Sequence, residues 1–285
     1  MDQDTVALRE FISQALNEDL GDGDHTSLST IPQGYKGKAK LLVKDTGILA
    51  GVSIAREIFT VVDPNLTMEV FIEDGRAVHP GDVAFFVNGS VHSILVAERL
   101  VLNTMQRMSG IATMTNKVVK LLQGTKTKVL DTRKTTPGLR YLEKLSVKIG
   151  GGVNHRFGLH DMILIKDNHV DYAGGTVKAI DAAKSYLKSK NLHIPIEIEV
   201  RNLEELAEVI NSSGVDRIML DNFSFEKLKE AVALINGRFI TEASGGITLD
   251  NVLEYARCGV DYVSMGALTH SVKSLDMSLK AVKTN

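Results

Sequence analysis

The sequence predicts an α/β protein in two parts, a small α+β layer followed by a barrel of parallel strands. Three observations point there. Residues 38–91 carry short apolar runs separated by turn signals, the pattern of short strands. From residue 128 onward, six short apolar runs alternate with helical stretches, and repeated β-α units build a parallel sheet. Nearly every one of those runs ends on a polar group able to do chemistry. In α/β barrels the site is assembled at the carboxyl ends of the strands, so this recurrence favours a barrel over an open doubly wound sheet.

The elements follow in order. Residues 5–20 place Leu8, Phe11, Ile12, Ala15 and Leu16 on one face, the spacing of an amphipathic helix, which ends at the turn cluster Gly21-Asp22-Gly23-Asp24. Strands are expected over 39–43, 48–50, 68–72 and 83–88, with a helix over 56–62. Residues 93–123 are helical in character and broken at Ser109-Gly110, where the domain boundary is placed. Beyond it, strands are expected over 128–131, 162–166, 196–200, 217–221, 239–243 and 262–265. Helices are expected over 174–189, 202–212, 224–236 and 249–257, with a last one over 272–283.

The 285 residues are 44 % hydrophobic and 24 % charged, which excludes disordered and fibrous classes. A formal charge of −2 argues against a dedicated nucleic-acid binder. The single cysteine, Cys258, cannot form an internal disulfide and reads as inert core. No apolar run approaches the ~18 residues of a membrane span, and the acidic start Met1-Asp2-Gln3-Asp4 does not open a signal peptide. The expectation is a cytoplasmic protein that binds neither nucleic acid nor membrane.

The charge is uneven. Between residues 126 and 169 nine Lys and Arg face four Asp and Glu, so this segment is +5 and the rest of the chain −7. His155, His160 and His169 fall inside it. Its basic residues are interleaved with Thr-Thr-Pro-Gly and Gly-Gly-Gly, which make loops rather than a solvated helix face. A basic, loop-rich segment in an acidic protein points to a pocket for a small polyanion.

The strand ends supply the chemistry. Glu197 and Glu199 alternate with aliphatic residues and so face one side of their strand, where an inward carboxylate needs a cation, a metal or a hydroxyl-bearing ligand. Asp221 follows the same logic. Ser244-Gly245-Gly246 after one strand, and Gly266 after the next, offer backbone N–H groups suited to a sugar phosphate. Arg133-Lys134 and His155-Arg156 supply forks and point charges for a small dicarboxylic acid. Lys166, after an apolar run, is open to a second reading as a buried Schiff-base lysine. No His/Cys spacing suggests a zinc site.

Taken together, the segments resemble the quinolinate phosphoribosyltransferase family, the carboxylating nicotinate-nucleotide pyrophosphorylases. The resemblance is carried by Glu-Asp-Leu-Gly-Asp-Gly-Asp-His-Thr-Ser (18–27), Glu-Arg-Leu-Val-Leu-Asn (98–103), Ser-Gly-Ile-Ala-Thr (109–113) and Asp-Thr-Arg-Lys-Thr-Thr-Pro-Gly-Leu-Arg (131–140). It continues in Gly-Gly-Gly-Val-Asn-His-Arg (150–156), Leu-Ile-Lys-Asp-Asn-His (164–169), Leu-Asp-Asn (220–222), Ser-Gly-Gly-Ile (244–247) and Gly-Ala-Leu-Thr-His-Ser (266–271).

The resemblance implies an N-terminal α/β sandwich domain, residues 1–109, and an incomplete TIM-like α/β barrel, residues 110–285. It implies transfer of phosphoribosyl from 5-phosphoribosyl-1-pyrophosphate to quinolinate with decarboxylation, using Mg2+ and no organic cofactor. By the same resemblance Arg99, Thr132, Arg133, Lys134, His155, Arg156 and Lys166 hold quinolinate, Arg99 coming from the neighbouring subunit of a homodimer with shared active sites. Lys134, Lys166, Glu199 and Asp221 are the catalytic set. Glu199 and Asp221 also address the ribose and the metal, directly or through water. Ser244, Gly245, Gly246, Ser264, Met265 and Gly266 take the 5′-phosphate. A paralogue with another acceptor has less use for so many cations. A sugar-phosphate-binding barrel without activity has no use for Arg99, Glu199 and Asp221 together.

Overall fold

The computed structural model describes residues 3–282, so Met1 and Asp2 of the acidic start and residue 283 of the expected last helix lie outside the described residues. In chain order the first elements are α1 (Gln3–Leu20), α2 (His25–Thr30), β1 (Lys36–Val43), β2 (Gly47–Ile48), α3 (Val52–Val62), β3 (Thr67–Val70), β4 (Ala77–Val78), β5 (Val83–Ser90) and α4 (Val91–Leu121). Next come β6 (Lys128–Leu130), α5 (Arg140–Ile149), β7 (Ile163–Ile165), α6 (Asp167–Ala173), α7 (Thr176–Lys190), β8 (Ile196–Val200) and α8 (Leu203–Ile210). The chain ends with β9 (Arg217–Asp221), α9 (Phe225–Ile235), β10 (Ile240–Ser244), α10 (Val252–Arg257), β11 (Tyr262–Ser264), α11 (Ala267–His270) and β12 (Met277–Ala281). No described helix is long and apolar enough to cross a membrane. The elements form two compact units.

The first unit joins the residues up to 116, 136–151 and those from 272. Its sheet is antiparallel in the order β12-β1-β5-β3. β1 lies inside it, with Lys40 opposite Lys280 on one side and Phe86 on the other. Ala39, Leu41 and Val43 are buried and the residues between them are not, the period-2 burial of a strand covered on one face. Leu41, Val43, Phe85 and Val87 share one core with Ile54 and Ile58 of α3 and Val101 and Met105 of α4.

Two expectations are corrected in this unit. α4 runs unbroken through Ser109-Gly110. The Ser109 hydroxyl accepts from Ala50 N–H (2.9 Å) and donates to Ala50 O (3.1 Å), while a Cβ on Gly110 would stand 2.3 Å from Lys273 O. These small residues admit close neighbours and do not end the helix. Residues from 272 form β12 rather than a helix, because Met277 and Leu279 go into the core and the backbone pairs with β1 from Met277 to Ala281.

The second unit, residues 117–135 and 152–271, holds six parallel strands in the order β6-β11-β10-β9-β8-β7. The order is sequential except that the first strand pairs with the last, Lys128 beside Tyr262 through Leu130 beside Ser264. That is the cyclic order of a barrel. β6 and β7 are not paired in this order, and β6 carries on that side only the isolated parallel bridge from Leu130 to Val153, which precedes β7, so the barrel is incomplete. Helices α7 to α10 follow the strands in βα alternation. The register brings polar strand ends level, with Ser244 beside Asp221, and β11 carries Ser264 one residue beyond the pair Ala243–Val263, as β10 carries Ser244.

Candidate active site

The carboxyl ends of the barrel strands surround a cavity of about 740 Å³, within the size range of small-molecule sites. Thr132, Arg133 and Lys134 reach it from the end of β6, and the Lys134 N–H donates to the Thr132 hydroxyl (3.0 Å). His155 and Arg156 follow the Leu130–Val153 bridge. Asp131, fully buried at the end of β6, accepts from His155 N–H (2.8 Å) and so sets where this segment stands. Arg156 is nine-tenths buried and donates to Met162 O (3.2 Å). Burial first, and the Arg133 charge second, hold its guanidinium below the ordinary value. Two guanidiniums that repel each other at a cavity wall form a receptor for an anion.

Lys166 lines the same cavity from the end of β7, with its N–H donating to His169 Nδ1 (2.9 Å). It is exposed, not buried, which removes the desolvation that the Schiff-base reading rests on. On the next strands stand Glu199 at the end of β8 and Asp221 at the end of β9. Burial pushes the Glu199 carboxyl above its ordinary value, and the Asp221 charge pushes it further. Repulsion between two such oxygen donors is what a hard divalent cation relieves, so this pair fits magnesium.

The phosphate-type turn follows β10. Gly245 (φ +96°) and Gly246 (φ +61°) take left-handed conformations that glycine adopts without penalty. Asn251 braces the turn, donating to Gly246 O (3.0 Å) and accepting from Thr248 N–H (2.7 Å). Ser264 and Gly266 line the cavity from the end of the adjacent strand β11, and a Cβ on Gly266 would press on Lys134 Cδ at 2.9 Å. Met265 does not line the cavity. Its side chain is buried and its N–H donates to Leu130 O (3.0 Å), which leaves it no donor for a phosphate. Arg99 belongs to the first unit, where it is exposed on α4.

Beneath the cavity lies a buried cluster that the sequence reading left largely unassigned. His155 Nε2 stands 2.9 Å from Glu197 and 3.5 Å from Glu242, and Arg217 lies 3.1 Å from Glu242. Burial raises Glu197 to about 6, and burial with the Glu197 charge raises Glu242 to about 8. The ligand atoms of His155, Glu197 and Glu242 lie within 4.8 Å of one another, a metal-like grouping unforeseen from spacing. Arg217 already supplies a cation there. Glu242 was legible: it precedes Ser244 by two, so period 2 puts it on the same inward face, and a carboxylate inside a covered parallel strand is costly. Asn222 and His270, also lining the cavity, sit inside quoted motifs but carried no assignment.

The chain is similar to known proteins over nearly its whole length. Residues 24–109 match the quinolinate phosphoribosyl transferase N-terminal domain and residues 111–280 its C-terminal domain. The carboxylating nicotinate-nucleotide pyrophosphorylase of Arabidopsis thaliana chloroplasts is 50 % identical over 97 % of this chain and 83 % of its own. A probable enzyme of that name from Bacillus subtilis is 42 % identical over 98 % and 95 % of the two chains. The NadC structure from Streptococcus pyogenes superposes with a TM-score of 0.92 at 39 % identity, covering 99 % of this chain and 100 % of that one. Both halves of the chain match, over nearly its whole length, and so the chain belongs to the quinolinate phosphoribosyltransferase family.

Proposed function

We propose that the chain transfers phosphoribosyl from 5-phosphoribosyl-1-pyrophosphate to quinolinate, releasing carbon dioxide and pyrophosphate and giving nicotinate mononucleotide for NAD biosynthesis. The observation that carries this is one cavity lined by the cations Arg133, Lys134, Arg156 and Lys166, the carboxylates Glu199 and Asp221, and the Ser244-Gly245-Gly246 turn. A dianionic acid suits the cations, and a ribose 5′-phosphate with a metal cation suits the carboxylates and the turn.

In this reading Arg133, Lys134, Arg156 and Lys166, with Thr132 and His155 beside them, hold the two carboxylates of quinolinate. Lys134 and Lys166 also face the diphosphate, and Ser244, Gly245, Gly246, Ser264 and Gly266 take the 5′-phosphate. Glu199 and Asp221 would hold magnesium, directly or through water, and its charge would offset that of the leaving diphosphate. The bond from ribose C1 to the diphosphate breaks as the pyridine nitrogen gives its lone pair to that carbon. Glu199 and Asp221 stabilise the oxocarbenium-like centre electrostatically. The positive charge of the resulting pyridinium stabilises the carbanion left on the ring carbon when the adjacent carboxylate departs as carbon dioxide, and that carbon's electron pair then takes up a proton. The substrate is its own electron sink, so no organic cofactor is required.

The reading extends to a cytoplasmic homodimer in which Arg99 of the partner subunit joins the quinolinate site, with a higher assembly of dimers left open. An exposed Arg99 on α4 supports the shared site, and one buried, unpaired cysteine suits a reducing compartment. The test is incubation with magnesium, phosphoribosyl pyrophosphate and carboxyl-labelled quinolinate, following labelled carbon dioxide and nicotinate mononucleotide. Release of both, dependent on all three additions, is expected. Turnover only with another aromatic acid would move the function to a different acceptor, and no turnover with any acceptor would reduce the protein to a binding barrel.

A further inference from the structure

Three non-glycine residues among those described have a left-handed backbone: Asn191, Asn222 and Asn236. Asn191 and Asn236 are the C-terminal caps of α7 and α9, the ordinary place for that conformation. Asn222 (φ +54°) caps no helix. It follows β9 directly after Asp221 and lines the cavity. A left-handed residue at a strand end carries strain that the surroundings must fix in place.

Its contacts run to two parts of the cavity at once. The Asn222 carboxamide Nδ2 donates to Asp221 Oδ2 (2.5 Å). Its backbone N–H donates to Ser244 O (2.9 Å), at the place where Ser244 and Asp221 are register partners. Its Oδ1 fills the space beside Gly245, where a Cβ would stand only 2.1 Å from it. One residue therefore touches a carboxylate of the anionic wall through its side-chain nitrogen and the glycine turn through its backbone and side-chain oxygen.

We propose that Asn222 is a positioning residue that locks the Asp221 carboxylate and the 244–246 turn together, fixing the spacing at which the two halves of a phosphoribosyl group, its ribose and its 5′-phosphate, are received. The chemistry favours asparagine for this task. A carboxamide donor orients Asp221 without cancelling the negative charge that Asp221 must present, as a lysine or arginine would. It also occupies one carboxylate oxygen and leaves the other for ligand. The left-handed backbone is the feature that turns the chain so that N–H, Nδ2 and Oδ1 meet their separate neighbours. The inference rests on the phosphoribosyl transfer reading and adds to it a residue that binds through others.

The test uses the full-length protein as Asn222→Gly and Asn222→Asp beside wild type. Glycine keeps the left-handed backbone and its N–H to Ser244 O, relieves the strain and deletes only the carboxamide. Aspartate keeps the shape but replaces the donor with a second carboxylate. Both are expected to raise KM for phosphoribosyl pyrophosphate about 10- to 100-fold, the usual loss for a hydrogen bond to a charged group. Quinolinate Kd by calorimetry should stay within about twofold of wild type, and the N222G melting temperature should equal or exceed it. A merely structural asparagine predicts N222G with unaltered KM, and that result would overturn the proposal. So would N222D with wild-type kinetics, or quinolinate Kd rising in step with KM. Wild-type enzyme without any phosphoribosyl pyrophosphate turnover would sink the underlying reading and this inference with it, a result separable from a silent variant of an active enzyme.

Discussion

Replacing Glu242 with glutamine decides whether the buried charge beneath the cavity stabilises the fold or costs it. Burial and the neighbouring Glu197 charge push the Glu242 carboxyl from 4.5 to about 8. Between those values the folded protein keeps a proton that the unfolded chain has lost. Stability therefore falls as pH rises through the window, by up to about 1.4 kcal/mol per unit, and the accumulated cost at its upper end is on the order of 5 kcal/mol. Glu197 shares part of this, because the two carboxyls titrate as a pair. Glutamine has the shape of the protonated acid and no proton to lose. E242Q is expected to melt with wild type near pH 5 and above it by a margin that grows about 3–5 °C per unit between pH 6 and 8. The assay is a calorimetric melt of both proteins across a pH series at fixed ionic strength, read as a difference so that distant titrating groups cancel. A variant less stable than wild type by a constant margin at every pH would refute the reasoning, since it would show Glu242 ionised throughout and its contact with Arg217 stabilising.

Three further outcomes follow from the same geometry. Gly245→Ala places a Cβ 2.1 Å from Asn222 Oδ1 at a φ of +96°. KM for phosphoribosyl pyrophosphate should rise at least about tenfold with quinolinate Kd unchanged, and initial-rate kinetics in each substrate would expose an equal effect on both. Arg156→Lys keeps the charge but loses the fork and its bond to Met162 O. KM for quinolinate should rise about 10- to 100-fold, and a rise confined to the other substrate would reassign the residue. Asn202 caps α8 by accepting from Glu205 N–H at 2.8 Å. Asn202→Ala should lower stability by about 1 kcal/mol in a denaturant titration and leave kcat alone.

The strands of the barrel were legible because each is a short segment containing Val, Ile, Leu, Met or Ala between turn residues or helical stretches, a pattern that survives without knowing its partners. Glu199, Asp221 and Ser244 were legible for a related reason: a polar group ending an apolar run has few places to go but the rim of a parallel sheet. What escaped depends on packing across distance. Ser109-Gly110 reads as a breaker until Ala50 and the Lys273 carbonyl are seen against it. Residues from 272 read as a helix until β1 offers them an edge. Met265 shares a turn with Ser264 and Gly266, yet β6 takes its N–H. Arg217 carries no sign in the sequence that it lies beside Glu242 from the adjacent strand.

The pairing of β1 with β12 joins Ala39 to Ala281. On the ribosome, the sheet of the first unit thus waits for residues 277–281 to be made, whereas every strand of the barrel has emerged by Ser264. The order of completion inverts the order of synthesis. Until β12 arrives, β1 presents one open edge, the kind of surface that recruits strands from other chains. Lys36, Lys38 and Lys40 along that strand put like charges on any pair of unfinished copies that meet there. A nascent chain truncated before residue 277 would carry its liability to aggregation at this edge, and the barrel, already closed as far as it goes, would be the part that is folded.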